Sequence, residues 1–311
     1  MAGHGLGFTA DTVASFLREA SSPPISRHFQ LHLFSFHYQQ LIMGCQALWR
    51  LLSKKKHAPE VRYPRNQSAA IGATGNKFLF DVQGTIFATI RYAYSTHTTL
   101  AYAHAIVLKR IEQLARCPSE TVLYLDGLPA EEKRFTHQKR DKARTKALKE
   151  AQEKVSSFAE RVDFGNRIRK QDFINIKKKL NGAFQWDPQA RQGLAEFLRS
   201  KGWNVVECET EADVRIGSDS RNGDIVISGD SDMLVYENVS MIWRPVSGSR
   251  FLVYNVDEVL AALHINRVQL TTLGIVSIND YDGNIYGLGC PSNLGVIKTL
   301  PTESMFPLAL H

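Results

Sequence analysis

Three short apolar runs, each closing on an aspartate, constrain this chain most. FLF (78–80) precedes Asp81, TVLYL (121–125) precedes Asp126, and DIVISG (224–229) precedes Asp230. Runs rich in β-branched and aromatic residues, separated by helix-periodic segments, predict buried strands alternating with helices. That alternation predicts an α/β fold with a mostly parallel sheet covered on both faces. The carboxyl ends of such strands share one edge, where ligands usually bind. Glu209, Glu211, Asp232 and Asp280 add four more acids to the same reading. Carboxylates gathered at one edge repel one another, and a hard divalent cation with oxygen ligands, Mg²⁺ above all, relieves that repulsion.

Charge distribution says what such an edge would act on. The 311 residues carry a formal net charge of +7. Between Lys133 and Leu180, 16 Lys/Arg stand against 6 Asp/Glu, whereas the remainder is slightly acidic. A basic segment beside an acidic cluster suits a polyanion gripped through its phosphates. The four cysteines form no CxxC pair, so neither a zinc knuckle nor a disulfide framework is indicated, and a reducing compartment fits. No apolar run reaches the roughly 18 to 20 residues that span a bilayer. The ten histidines show no ligand-like pairing.

In chain order, residues 1–42 mix His, Phe, Ser and Pro and read as a poorly ordered N-terminal extension, with Met43 a sensible alternative start. Strands are expected at 78–82, 121–127, 203–208, 224–230 and 239–244. Helical segments are expected over 86–117, 188–202 and 256–264. Residues 131–180 read as long basic helices broken near FGN (164–166).

Six segments in order resemble the structure-specific 5′ nucleases, the flap endonuclease and xeroderma-pigmentosum-type family with a PIN-like fold. MGCQALWRLL (43–52) is similar to the family's opening, with Ala47 in place of its second glycine. FLFDVQGTIF carries the first metal-binding Asp, and LYLDGLPAEEKRFTHQKR its Asp-Gly with Lys and Arg seven and fourteen residues on. CETEAD resembles the Glu-Ala-Glu-Ala signature and SGDSDML the Asp-x-Asp strand end. NDYDGNIYGLG resembles the Asp-Tyr segment leading into a glycine hairpin.

The resemblance implies a nuclease core over 43–264 with a basic helical arch at about 131–180, and a partial helix-hairpin-helix module over 265–311. It implies two Mg²⁺ ions, Mn²⁺ substituting, held by Asp81, Asp126, Glu211 and Asp230, with Glu209, Asp232 and Asp280 direct or through water. Lys133 and Arg140, about two helical turns apart and so on one face, would neutralise charge on the scissile phosphate. Phe87 occupies the place of a base-stacking aromatic, and Gly287 and Gly289 the hairpin that grips duplex backbone. The implied substrate is DNA with single-strand/duplex junctions, cut by a monomer in the nucleus. A mitochondrial address is an alternative because of the N-terminal extension. No sliding-clamp peptide is seen.

Other readings stay open. An isolated Asp-x-Asp also occurs in glycosyltransferases and in haloacid-dehalogenase-type phosphatases, though Leu234 stands where the latter carry Thr or Val. Within the PIN-like fold, a nucleic-acid-binding scaffold without cleavage and an RNA-directed nuclease are the two rivals.

Overall fold

The computed structural model describes residues 46–54, 59–63, 65, 76–96, 99–115, 117–128, 133–167, 169–246, 250–277 and 289–299. The N-terminal extension, Met43 and Gly44, and the hairpin residues Asp280 and Gly287 lie outside them.

Seven strands form one mixed sheet. In chain order they are β1 (Glu60–Arg62), β2 (Phe78–Asp81), β3 (Thr121–Leu125), β4 (Asn204–Glu207), β5 (Ile225–Ile227), β6 (Met241–Pro245) and β7 (Phe251–Asn255), arranged β1-β7-β6-β5-β2-β3-β4. β6, β5, β2, β3 and β4 run parallel, while β7 and β1 add an antiparallel edge. β2, β3 and β5 are buried along their whole length, as strands covered on both faces must be. Alternate residues serve opposite faces. Leu79, Val122, Tyr124, Val226 and Ile242 join one large core cluster. Phe78, Trp243 and Phe251 instead stack edgewise, with ring centroids 5.7 and 5.2 Å apart. Burying each such side chain contributes about 1.5–3 kcal/mol.

Ten α-helices accompany the sheet among the described residues: α1 (Gln46–Lys54), α2 (Val82–Thr96), α3 (Leu100–Leu114), α4 (Arg134–Asp163), α5 (Lys170–Ala183), α6 (Pro188–Ser200), α7 (Ala212–Asp219), α8 (Val256–Leu263), α9 (Arg267–Val276) and α10 (Cys290–Ile297). The helical region expected over 86–117 is two helices, and the first begins directly after Asp81. The Asp81 carboxylate accepts the Gly84 amide at 2.8 Å, an i to i+3 bond of the kind that caps a helix start. α6 stops where Gly202 takes φ +85, open only to residues tolerant of the left-handed region. β1 and β7 are additions to the strands expected from sequence. β7 runs antiparallel to β6, and beyond their paired residues the Val246 amide donates to the Arg250 carbonyl at 2.9 Å.

The described chain divides into two compact units. One holds the sheet with α1 and α6–α10, and runs through Tyr38–Ile90, His104–Thr136 and Pro188–His311. Its core includes Leu48, Leu51 and Leu52 from α1, Leu270 and Leu273 from α9, and Leu294 and Ile297 from α10. Asn293 ties α10 to the end of α9 by donating to the Val276 carbonyl at 2.9 Å. The other unit comprises Arg91–Ala103 and His137–Asp187. There α4 and α5 form a helical hairpin with a small core of its own: Ala151, Val155, Phe158, Ile176 and Leu180. Among the described residues no single helix is long and apolar enough to cross a membrane.

Candidate active site

Strand register brings three of the acids together. Asp81 pairs with Tyr124 on β3, and Phe80 with Ile227 on β5. Asp126 and Asp230 therefore each lie two residues beyond the level of Asp81, one on either side of it. All three are at the carboxyl ends of adjacent parallel strands. The sheet also reverses its order of growth here, from β2 outward through β3 and β4, then back to β5, which is where such sheets open a crevice.

The first turn of α2 fastens these ends to one another. The Asp126 amide donates to the Gln83 side-chain oxygen at 3.1 Å, and the Thr85 hydroxyl donates to the Ile227 carbonyl at 3.0 Å. Ser228 bridges the other pair: its hydroxyl donates to Asp81 at 2.8 Å and accepts the Asp230 amide at 3.0 Å. Two glycines make this closeness possible. A Cβ at Gly84 would sit 2.0 Å from an Asp81 carboxylate oxygen, and one at Gly229 would sit 2.7 Å from the Gly84 carbonyl.

Asp126 does a second task. Its carboxylate accepts the Ala212 amide at 2.8 Å, so a side chain from β3 caps α7. Glu211 stands at the α7 N-cap position, yet its side chain makes no capping bond. That carboxylate instead receives the Lys133 ammonium in an ion pair whose side chains are 7% and 15% exposed. Asp213, in the first turn of α7, lies 4.0 Å from the same ammonium.

Burial and crowding make these acids reluctant to ionise. Burial pushes the Asp81 carboxyl up to about 6; the negative charge of Asp213 adds to this, while bonds from Gly84 and Ser228 oppose it. Asp126 is pushed up to about 7 by burial and then by the charge of Asp81. Asp230 is raised well above the ordinary carboxylate range by burial, then by Asp232 and Asp81. A cluster of carboxylates short of positive charge behaves in this way. The donor set, all hard oxygens, fits Mg²⁺. Lys133 already sets one cation against Glu211 and Asp213. Among the described residues no three His, Cys, Asp or Glu side chains are drawn close enough to hold a single ion.

The remaining expected site residues fall as follows. Glu209 is exposed, and Asp232 donates its amide to the Asp230 carboxylate at 3.0 Å. Phe87 is half-buried on α2, next to a kink at Ile86. Gly289 is the N-cap residue of α10 in extended backbone, and a Cβ there would meet only Pro291 at 3.8 Å. Arg140 lies on α4 in the hairpin unit. Asp213, Gln83, Gly84, Thr85 and Ser228 join the arrangement without having been singled out from sequence. Asp213 had a signal: it follows Glu211 by two residues at a helix start, where acids are favoured.

No protein-family model matches the chain. No curated protein matches it either. Solved structures do. Human GEN1 bound to Holliday junction DNA aligns over 85% of this chain and 57% of its own, with TM-score 0.52 and 14% identity. The catalytic core of Rad2 in complex with DNA substrate aligns over 82% of this chain and 67% of its own, with TM-score 0.51 and 13% identity. Flap endonuclease-1 from Methanococcus jannaschii aligns over 81% and 79%, with TM-score 0.50 and 16% identity. The sheet order, the crossovers and these alignments agree: the chain has the fold of the structure-specific 5′ nuclease superfamily.

Proposed function

We propose that this chain is a Mg²⁺-dependent, structure-specific nuclease that hydrolyses phosphodiester bonds in DNA at junctions of single strand and duplex. The observation that carries this reading is the symmetric placement of Asp126 and Asp230 about Asp81 at the switch point of the parallel sheet. One buried and two half-buried carboxylates, each harder to ionise than usual, are gathered at one sheet edge beyond what their helix-capping bonds require. They form a set that binding of divalent cations would stabilise.

Asp81, Asp126, Glu211 and Asp230 would hold the ions, with Asp213, Glu209 and Asp232 close by in sequence. When bound, such ions polarise a phosphate oxygen and lower the pKa of a water. The chain's own groups set up that chemistry. Gly84 and Ser228 orient Asp81, and the Ala212 amide orients Asp126. Lys133, nearly sheltered from water beside Glu211, would meet a phosphate oxygen of the substrate. The DNA complexes of GEN1 and Rad2 favour DNA as the substrate.

Cleavage of a 5′-labelled flap duplex in Mg²⁺, with Asp230→Ala as control, tests the proposal. Activity in the wild type and its loss in the variant are expected. Equal binding and no cutting by both proteins would favour a scaffold, and cutting of a matched RNA alone would redirect the substrate.

A further inference from the structure

The turn that joins α4 to α5 presents the most exposed large apolar side chain among the described residues: Phe164, 84% accessible. Leaving a phenyl ring in water forgoes about 1.5–3 kcal/mol of burial, so the position calls for an explanation. Local structure supplies none. The α4 terminus closes as a Schellman motif: the Gly165 amide donates to the Val162 carbonyl at 2.8 Å and the Asn166 amide to the Arg161 carbonyl at 2.8 Å. Gly165 provides the required left-handed backbone at φ +75. Such a cap usually sets an apolar residue just past the glycine against the helix, but here that residue is Asn166. The cap is complete without the ring of Phe164.

The turn is also pinned at its far side. Arg161 reaches the Arg167 carbonyl at 3.4 Å and the Asp172 carboxylate at 3.5 Å, and Asp172 accepts the Arg169 amide at 3.1 Å. Phe164 therefore sits outward on a braced turn, with Arg167, Arg169 and Lys170 exposed next to it. Behind it runs a 30-residue helix, about 45 Å long, along which Lys/Arg outnumber Asp/Glu. An aromatic face amid cations that hold phosphates is the combination that stacks a base of a single strand. Arg161 already lies over the Phe158 ring at 5.6 Å, which leaves Phe164 as the unshielded aromatic of the turn.

We propose that Phe164 is a base-stacking contact for single-stranded nucleic acid, set at the tip of the α4–α5 hairpin and flanked by Arg167, Arg169 and Lys170. This rests on the nucleic-acid reading above and adds a site to it.

The test measures anisotropy of a fluorescein-labelled oligothymidylate and of a blunt duplex of equal length, with wild type, Phe164→Ala and Phe164→Trp. Phe164→Ala should weaken single-strand binding about five- to a hundredfold and leave duplex binding within about twofold, since phosphate contacts govern the latter. Phe164→Trp should bind as wild type, and unlabelled oligothymidylate should quench its new emission. Trp49, Trp186, Trp203 and Trp243 are all buried, so that exposed signal is separable from theirs. Unchanged single-strand binding by Phe164→Ala, equal loss on both polymers, or no quenching overturns the stacking role while the nuclease reading stands. A wild type that binds neither polymer overturns both.

Discussion

Lys133 and Glu211 form an ion pair almost closed to water, and Asp213 lies 4.0 Å from the same ammonium. Removing the lysine leaves two carboxylates, both acting on Asp126, without their shared cation. Breaking one partner of a buried pair costs about 3–5 kcal/mol. Lys133→Met should therefore lower metal-free stability by roughly 3 kcal/mol in urea denaturation, and Mg²⁺ should restore part of it. A variant as stable as wild type without metal would show that the pair contributes nothing.

Gly84 has no space for a side chain. A Cβ there would lie 2.0 Å from the Asp81 carboxylate oxygen and 3.1 Å from the Ser228 hydroxyl. Gly84→Ala should turn Asp81 away from its partners. Displacements of this size cost about 100-fold in rate at a site that depends on geometry, measurable in single-turnover cleavage. Gly295→Ala, at a position with open space around the Cβ, is the control and should cleave normally.

Asp213, which closes the CETEAD segment, stands beside the proposed cation site. Asp213→Asn removes one negative charge that acts on Asp81, Asp126 and Asp230. Loss of such a supporting group typically lowers metal affinity about 10- to 100-fold. Titration calorimetry with Mn²⁺ should detect the fall, and an unchanged affinity would remove Asp213 from the site.

The raised acids give metal-free stability a definite pH dependence. Burial pushes Asp81 up to about 6 and Asp126 up to about 7 in the folded protein, against 3.8 for an ordinary aspartate. Between about pH 4 and 7 the folded state therefore holds more protons than the unfolded chain, and stability falls as pH rises. The metal-free protein should melt at higher temperature at pH 5 than at pH 8. Asp126→Asn should flatten that slope, and saturating Mg²⁺ should abolish it, because cations favour the ionised forms. A melting temperature independent of pH in all three cases would contradict the burial of these groups.

The sheet could be read from sequence because FLF, TVLYL and IVI are apolar on both faces, a pattern that only covered strands sustain. Asp81, Asp126 and Asp230 could be placed for the same reason: each closes such a run. β1 and β7 escaped notice because three exposed or half-exposed residues, and FLVYN after a turn, carry little periodicity of their own. Their pairing is a tertiary outcome. The bracing by Gln83, Thr85 and Ser228 also lay beyond sequence reasoning, since ordinary polar residues acquire their partners only from strand register. Asp126 capping α7 is similar: a helix capped by a residue 86 positions away leaves no local signature.

Asp81 and Ser228, bonded side by side, are 147 residues apart along the chain. A nascent polypeptide emerging from the ribosome can pair β2 with β3 long before β5 has been synthesised, but it cannot yet bring the last strand-end aspartate to its neighbours. Assembly of the acidic edge is thereby deferred until β5 has been made, and shorter chains lack it.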